Sequence, residues 1–208
     1  YAATEDDDVE CAVATHLPVP RVYWVDEEGD FLPQPAIIYG FATGVAKPSQ
    51  STSQVTGVGT FIPPAARATL GKQFVDHLAR LHTFDWRKAE LSTFDKPSSG
   101  RQAIEWQLNW WERVWEEDIH EDVPLMQLAS AWLRQRMPPG DHLSLVHGDY
   151  RVGNFLFTEP DLKISAWLDW ELAYIGDRHE DLSWCSKPQF GHADEHGRPL
   201  GGGVVPRE

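Results

Sequence analysis

Between two apolar runs, residues 147–154 read His-Gly-Asp-Tyr-Arg-Val-Gly-Asn. Strand ends ordinarily close in turn residues whose side chains are idle. His147, Asp149, Arg151 and Asn154 gathered at one such end therefore point to a site. Asn154 follows Asp149 by five positions, and Asp169 follows Asn154 by fifteen, at the close of the next apolar run. Oxygen-bearing side chains held near one another by adjacent strands suit a hard cation such as Mg²⁺, which takes few protein oxygens together with substrate phosphates. Asn154 and Asp169 would supply those oxygens, leaving Asp149 free to act as a base.

Each residue also has a purely local explanation. Asp149 could cap a loop, Asn154 could be a turn former tolerant of left-handed backbone, and Asp169 could cap a strand end. All three in this order and spacing favour a site. Arg151 suits either a phosphate or an acidic neighbour, a surface ion pair being the plain alternative. Glu171 is a weaker candidate, equally suited to solvent, and Asp177 reads as a turn or cap residue after Gly176. A transition-metal hydrolase using His147, Asp149, Asp169, His179 and Asp181 is a further option, but the sequence lacks an HExxH-type pair and that chemistry leaves Asn154 unexplained.

The elements that must hold these residues come in a definite order. "RVYWVD" and "PAIIYGF", around "EEGD", read as an antiparallel strand pair. Residues 44–64 then turn to Ser, Thr, Gly and Pro, the composition of a linker or mobile loop. Leu70, Phe74, Leu78 and Leu81 recur at helical spacing, so "ATLGKQFVDHLARLH" should be an amphipathic helix. Further helices are expected at about 100–115 and 124–136. Trp106, Trp110, Trp111 and Trp115, at helical spacings in the first of these, are expected to pack a helix face. The short strand-like runs "LSLVHGD", "NFLFTE" and "KISAWLDW" follow. The tail, "QFGHADEHGRPLGGGVVPRE", has no periodic apolar face and reads as an exposed loop or frayed end.

Bulk properties narrow the partners. Against 32 Asp and Glu stand 18 Lys and Arg among 208 residues, a formal charge of -14. That balance argues against nucleic acid or an anionic membrane held by charge neutralisation. Cys11 and Cys185 make neither a disulfide framework nor a CxxC knuckle, no apolar run approaches a bilayer span, and the opening "YAATEDDDVE" lacks signal-peptide character. A cytoplasmic protein is expected.

"HGDYRVGNFLF" followed by "WLDWELAYIGDRHEDLSW" resembles the aminoglycoside phosphotransferase family, and within it the kinase-like domains related to certain acyl-CoA dehydrogenases. "PVPRVYWV" is similar to a small-lobe strand of that family, "AIIYGFATG" to its hinge, and "LARLHTFDW" to the first helix of its large lobe. The resemblance thus spans most of residues 18–184. It implies an α+β, protein-kinase-like two-lobed fold, divided into a partial small lobe with hinge (1–44), a linker or mobile loop (45–64) and a mainly helical large lobe (65–208). It also implies ATP and Mg²⁺ as cofactors and a small-molecule hydroxyl acceptor: aminoglycoside-like, sugar, choline-like or hydroxyacyl-CoA. In that frame Asp149 is the base, and Asn154 and Asp169 hold magnesium against the ATP phosphates. His147 and Asp181 support the catalytic loop. Gly40, Phe41 and Ala42 receive the adenine edge, with Ile38 and Tyr39 facing its pocket.

Such small lobes carry a Gly-rich phosphate turn and a strand Lys paired with a helix Glu. Neither precedes the helix-compatible stretch that opens this sequence. All six lysines follow the hinge-like strand, "TGVGT" falls in the linker, and Glu5 and Glu10 are the candidates for the helix Glu. The retained Asp149, Asn154 and Asp169 favour part of a larger kinase, itself poor at transfer, over a nucleotide-binding pseudokinase.

Overall fold

A computed structural model describes residues 16–51, 60–89, 91, 93–140, 142–190 and 192–206. The opening helix-compatible stretch, Glu5, Glu10, Cys11 and most of "TGVGT" lie outside them. Helix α1 (Pro64–His82) begins with Pro at its first turn, where a missing N–H costs nothing. Leu70, Phe74, Leu78 and Leu81 form its buried stripe, as their spacing predicts. Helix α2 (Gly100–Asp118) starts at Ser99, whose side chain accepts from the Gln102 amide. Helix α3 (Pro124–Gln135) is tied to α2 by Arg134 and Glu112.

The tryptophan stripe of α2 departs from expectation. Only Gly100 and Ala103 of that helix are buried, while Trp106 and Trp111 are exposed. Trp110 and Trp115 are half-buried and Trp111 stacks on Trp184, so among the described residues the stripe is only partly covered and joins no buried core.

Strands β1 (Val22–Asp26) and β2 (Ala36–Tyr39) pair antiparallel. Asp26 closes their connection by accepting from the amides of Asp30, Phe31 and Leu32. The pair is fastened to the rest of the chain on both flanks. The Trp167 amide donates to the Pro18 carbonyl, Ser165 Oγ to the Thr43 carbonyl, and Val45 bridges Phe157. In the following connection, Ser49 bonds Glu159, and Thr60 and Ile62 are buried.

Four short strands then make two antiparallel ladders. β3 (Leu143–Val146) pairs with β6 (Tyr174–Asp177), and β4 (Phe155–Thr158) with β5 (Lys163–Trp167). The connections 147–154 and 168–173 both run between the same two ladders. They consequently lie side by side: the Leu168 amide donates to the Asn154 carbonyl at 2.9 Å. This topology brings Asp169 to the loop that carries Asp149 and Asn154.

The tail is only partly exposed: residues 195–199 face solvent, whereas 200–204 are buried, contrary to its composition. β7 (Leu200–Gly201) and β8 (Val205–Pro206) form a hairpin whose Leu200 and Val204 are buried. Gly202 accepts from the Val152 amide at 2.8 Å and donates to the Cys185 carbonyl at 2.6 Å. The segment packs through backbone against Phe74, so it leaves no apolar period to read. A Cβ at Gly202 would fall 2.2 Å from Phe74 Cζ, and its φ is +55°. We expect Gly202→Ala to lower folding stability by about 2–4 kcal/mol, measured by urea denaturation; a change within error would show that the hairpin contributes little.

Among the described residues no helix is long and apolar enough to cross a membrane.

Candidate active site

The loop after β3 is held from below by aromatic packing. His147, Tyr150 and Val152 are fully buried. Tyr150 stacks on Trp167 with centroids 4.0 Å apart, and its hydroxyl donates to the Phe74 carbonyl at 2.8 Å. Burial raises the Tyr150 phenol well above its usual value, so the hydroxyl stays protonated as that bond requires. Phe74 is a residue of the α1 stripe, so the core and the loop share a side chain.

His147 is locked as a neutral ring. Its Nε2 lies 3.1 Å from the Leu168 carbonyl, and its Nδ1 accepts from the Asp149 amide at 3.3 Å. One donor and one acceptor define the Nε2-protonated tautomer. Burial depresses its pKa, outweighing the nearby carboxylates of Asp181, Asp149 and Asp169. His147 thereby fixes the two connections to each other.

Asp181, on α4 (His179–Cys185), is also fully buried. Its Oδ2 accepts from the His147 amide at 3.0 Å and lies 2.9 Å from His82 Nε2, while Oδ1 accepts from the Gly148 amide at 2.9 Å. Gly148 has φ +85°, and a Cβ there would meet the Leu172 carbonyl oxygen at 2.5 Å. Only glycine lets the chain turn this close to the neighbouring connection.

Above this support, Asp149 presents its carboxylate. Oδ1 accepts from Arg151 Nε at 2.8 Å and from Trp184 Nε1 at 2.5 Å. Oδ2 accepts from Asn154 Nδ2 at 2.7 Å and forms an ion pair with Arg151 Nη2, also at 2.7 Å. Arg151 therefore pairs with an acidic neighbour in this state, bidentately, and its guanidinium also lies 5.6 Å from the Phe190 ring centroid. The Asn154 nitrogen bonds the Asp149 carbonyl as well, so both of these amide bonds use nitrogen.

Asp169 is exposed and has φ +65°, in the left-handed region. Such backbone is unfavourable for a non-glycine residue, least so for Asp and Asn. Its carboxylate has no hydrogen bond among the described residues. Glu171 is exposed two residues on. At the hinge-like strand, the Gly40 amide donates to the Arg21 carbonyl at 2.7 Å, Ala42 is half-buried, and Ile38, Tyr39 and Phe41 are exposed apolar side chains.

The residues required for a transition-metal hydrolase do not converge on a common metal position. Asp181 is committed to loop amides, His147 to Leu168, and exposed His179 to Asp177 at 2.6 Å. Among the described residues no group of three or more His, Cys, Asp or Glu side chains could hold a metal ion.

Two contributors were missed in the sequence. His82 continues the Leu70, Phe74, Leu78 spacing by one more step of four, and a histidine on a buried stripe is a signal for a polar partner. Trp184 had no such signal, since its contact with Asp149 depends on how α4 docks.

The supporting layer titrates. Trp167 Nε1 donates to His77 Nδ1 at 3.0 Å, which requires a neutral ring. Burial, with help from Arg80 and against Asp76, lowers His77 to about 4. The unfolded ring takes its proton near 6.5, so its stabilising contribution is complete above about pH 6.5 and is lost as pH falls toward 4. We expect that loss to be on the order of 1–2 kcal/mol, discounted for partial solvation. His77→Asn, which keeps an acceptor but does not titrate, should flatten the stability profile between pH 6.5 and 4.5; an unchanged profile would refute the assignment.

The model of the phosphotransferase enzyme family matches residues 9–202. Acyl-CoA dehydrogenase family member 11 of Homo sapiens is 32% identical over 126 residues, 60% of this chain and 16% of that protein. Family member 10 of Mus musculus is 25% identical over 168 residues, 81% of this chain and 15% of that protein. Thus the chain spans only about one sixth of the length of these relatives. Among solved structures, a protein from Ralstonia eutropha assigned as an aminoglycoside phosphotransferase has a TM-score of 0.66 and 27% identity, covering 84% of this chain and 51% of that one. A ternary complex of aminoglycoside phosphotransferase APH(4)-Ia with ADP and hygromycin B has a TM-score of 0.60 and 17% identity, covering 87% and 60%. The fold is the kinase-like fold of these proteins, and with the family match extending over nearly its whole length, the chain belongs to the phosphotransferase enzyme family.

Proposed function

We propose that this site moves the γ-phosphoryl group of ATP to a hydroxyl of a small molecule, with Asp149 as base. The observation that carries this reading is the arrangement of the Asn154 amide. Its nitrogen is spent on Asp149, which leaves its oxygen as the free donor atom beside the connection bearing Asp169. A neutral amide oxygen and an unpaired, exposed carboxylate form a hard-oxygen pair. That pair fits Mg²⁺, whose remaining positions go to phosphates and water. When bound, magnesium neutralises charge on the phosphates.

The chain's own residues do the rest. His147 and Asp181 fix the loop that carries Asp149, which is itself largely buried beneath Arg151 and Trp184. Asp149 takes the acceptor's hydroxyl proton as that oxygen bonds to the γ-phosphorus, while the bond from phosphorus to the ADP oxygen breaks and ADP leaves with its electron pair. Because such a transition state is loose, positioning and charge supply most of the rate. The exposed faces of Ile38, Tyr39 and Phe41, beside Gly40 and Ala42, suit an adenine between a small lobe ending at residue 44 and a large lobe beginning at residue 65. The ADP in the APH(4)-Ia complex supports nucleotide use, and the acyl-CoA dehydrogenase relatives favour a hydroxyacyl-CoA among possible acceptors.

A screen of hydroxyl acceptors for ATP-dependent ADP release tests the proposal. Release with at least one acceptor supports it, whereas none across aminoglycosides, sugars, choline analogues and hydroxyacyl-CoAs counts against it. The second reading, a nucleotide-binding module without transfer, is favoured by the Arg151 pair that neutralises Asp149. It predicts thermal stabilisation by ATP with no ADP release.

A further inference from the structure

The carboxylate of Asp149 is crowded: Oδ1 accepts two hydrogen bonds, and Oδ2 accepts one beside an ion-pair contact with Arg151 Nη2 at 2.7 Å. These four contacts, three hydrogen bonds and one ion pair, take up the roughly four acceptor directions of a carboxylate. An acceptor hydroxyl that gives its proton to Asp149 must therefore displace a donor. Three of the four come from the loop itself, through Arg151 and Asn154, and Asn154 is fastened a second time by the Asp149 carbonyl. The fourth is Trp184, from α4.

Trp184 is suited to leave. Its indole belongs to no buried core. It is held by Lys187 Nζ at 3.8 Å from its ring centroid, by Phe190 at 5.3 Å, and by the exposed, near-parallel ring of Trp111 at 6.5 Å. Turning away leaves no sealed cavity. An indole nitrogen donates but has no lone pair with which to attack phosphorus. At Asp149 Oδ1 it occupies the place of a hydroxyl without being able to react.

We propose that Trp184 caps the base in the acceptor-free protein, keeping water from Asp149 until an acceptor hydroxyl takes the place of the indole N–H. This rests on the phosphotransfer reading above. It makes Trp184 a positioning residue that couples nucleotide consumption to the presence of acceptor.

Two measurements on the full chain test it. Trp184→Phe keeps a ring and removes the N–H, and should raise ADP release in the absence of acceptor about tenfold. Adding Asp149→Asn should abolish that gain. The second measurement needs no turnover. The ¹H–¹⁵N indole resonance that disappears in Trp184→Phe should move upfield in Asp149→Ala and exchange faster with solvent. An unmoved resonance overturns the cap. Acceptor-free ADP release no higher in Trp184→Phe than in wild type, where transfer to an acceptor depends on Asp149, overturns the cap alone. ADP release that never depends on Asp149 overturns the phosphotransfer reading.

Discussion

Asp149→Asn should lower phosphoryl transfer about 10³-fold, within the range for loss of a positioned general base. Asparagine preserves volume but cannot take the acceptor's proton. Its nitrogen would also face donors, because the Asp149 oxygens receive Arg151, Trp184 and Asn154 and no acceptor lies opposite them. One of these contacts is therefore lost or turned, and the loop above His147 relaxes by a small amount. The signature should be a fall in kcat with KM for ATP changing far less, since the proposed role of Asp149 is toward the acceptor and not the nucleotide. Steady-state ADP release under saturating acceptor, with a urea melt of the same preparation, separates this from unfolding. A variant that retains more than about a tenth of the wild-type rate would remove Asp149 from the role of base.

Asp181→Ala should cost the fold about 3–5 kcal/mol. The carboxylate satisfies the amides of His147 and Gly148 and lies against His82, all in a region closed to water. Truncation orphans two buried N–H groups at about 1–3 kcal/mol each and leaves the imidazole without its partner. Asp181→Asn keeps a single acceptor oxygen and should lose less. Urea denaturation of both variants checks the order, and equal small losses would mean that the loop finds other partners. Because the same amides set the loop's path, Asp181→Ala should also lose transfer activity at temperatures where it remains folded.

Sequence patterning revealed the parts of this structure in which side chains carry the packing. The stripe from Leu70 to Leu81 determined α1, and the apolar runs flanking residues 147–154 marked β3 and β4. The association of Asp149, Asn154 and Asp169 was legible because it follows from strand connectivity, two connections spanning the same ladders. What stayed hidden depends on backbone or on docking. The tail packs through Gly202, which has no side chain to leave a period. Trp184 reaches Asp149 only through the placement of α4, and Arg151 chooses a carboxylate over solvent for reasons local to the folded loop. The tryptophans of α2 show the opposite failure: their spacing shows a common side but not what covers it.

The left-handed backbone at Asp169 sets this position against the stability of the rest of the chain. Glycine adopts that conformation freely. Asp169→Gly would relieve local strain while deleting an oxygen proposed for magnesium. Heat resistance and the proposed magnesium site therefore pull position 169 in opposite directions. A library selected only for survival at high temperature would drift toward glycine there and lose the site without any sign of misfolding.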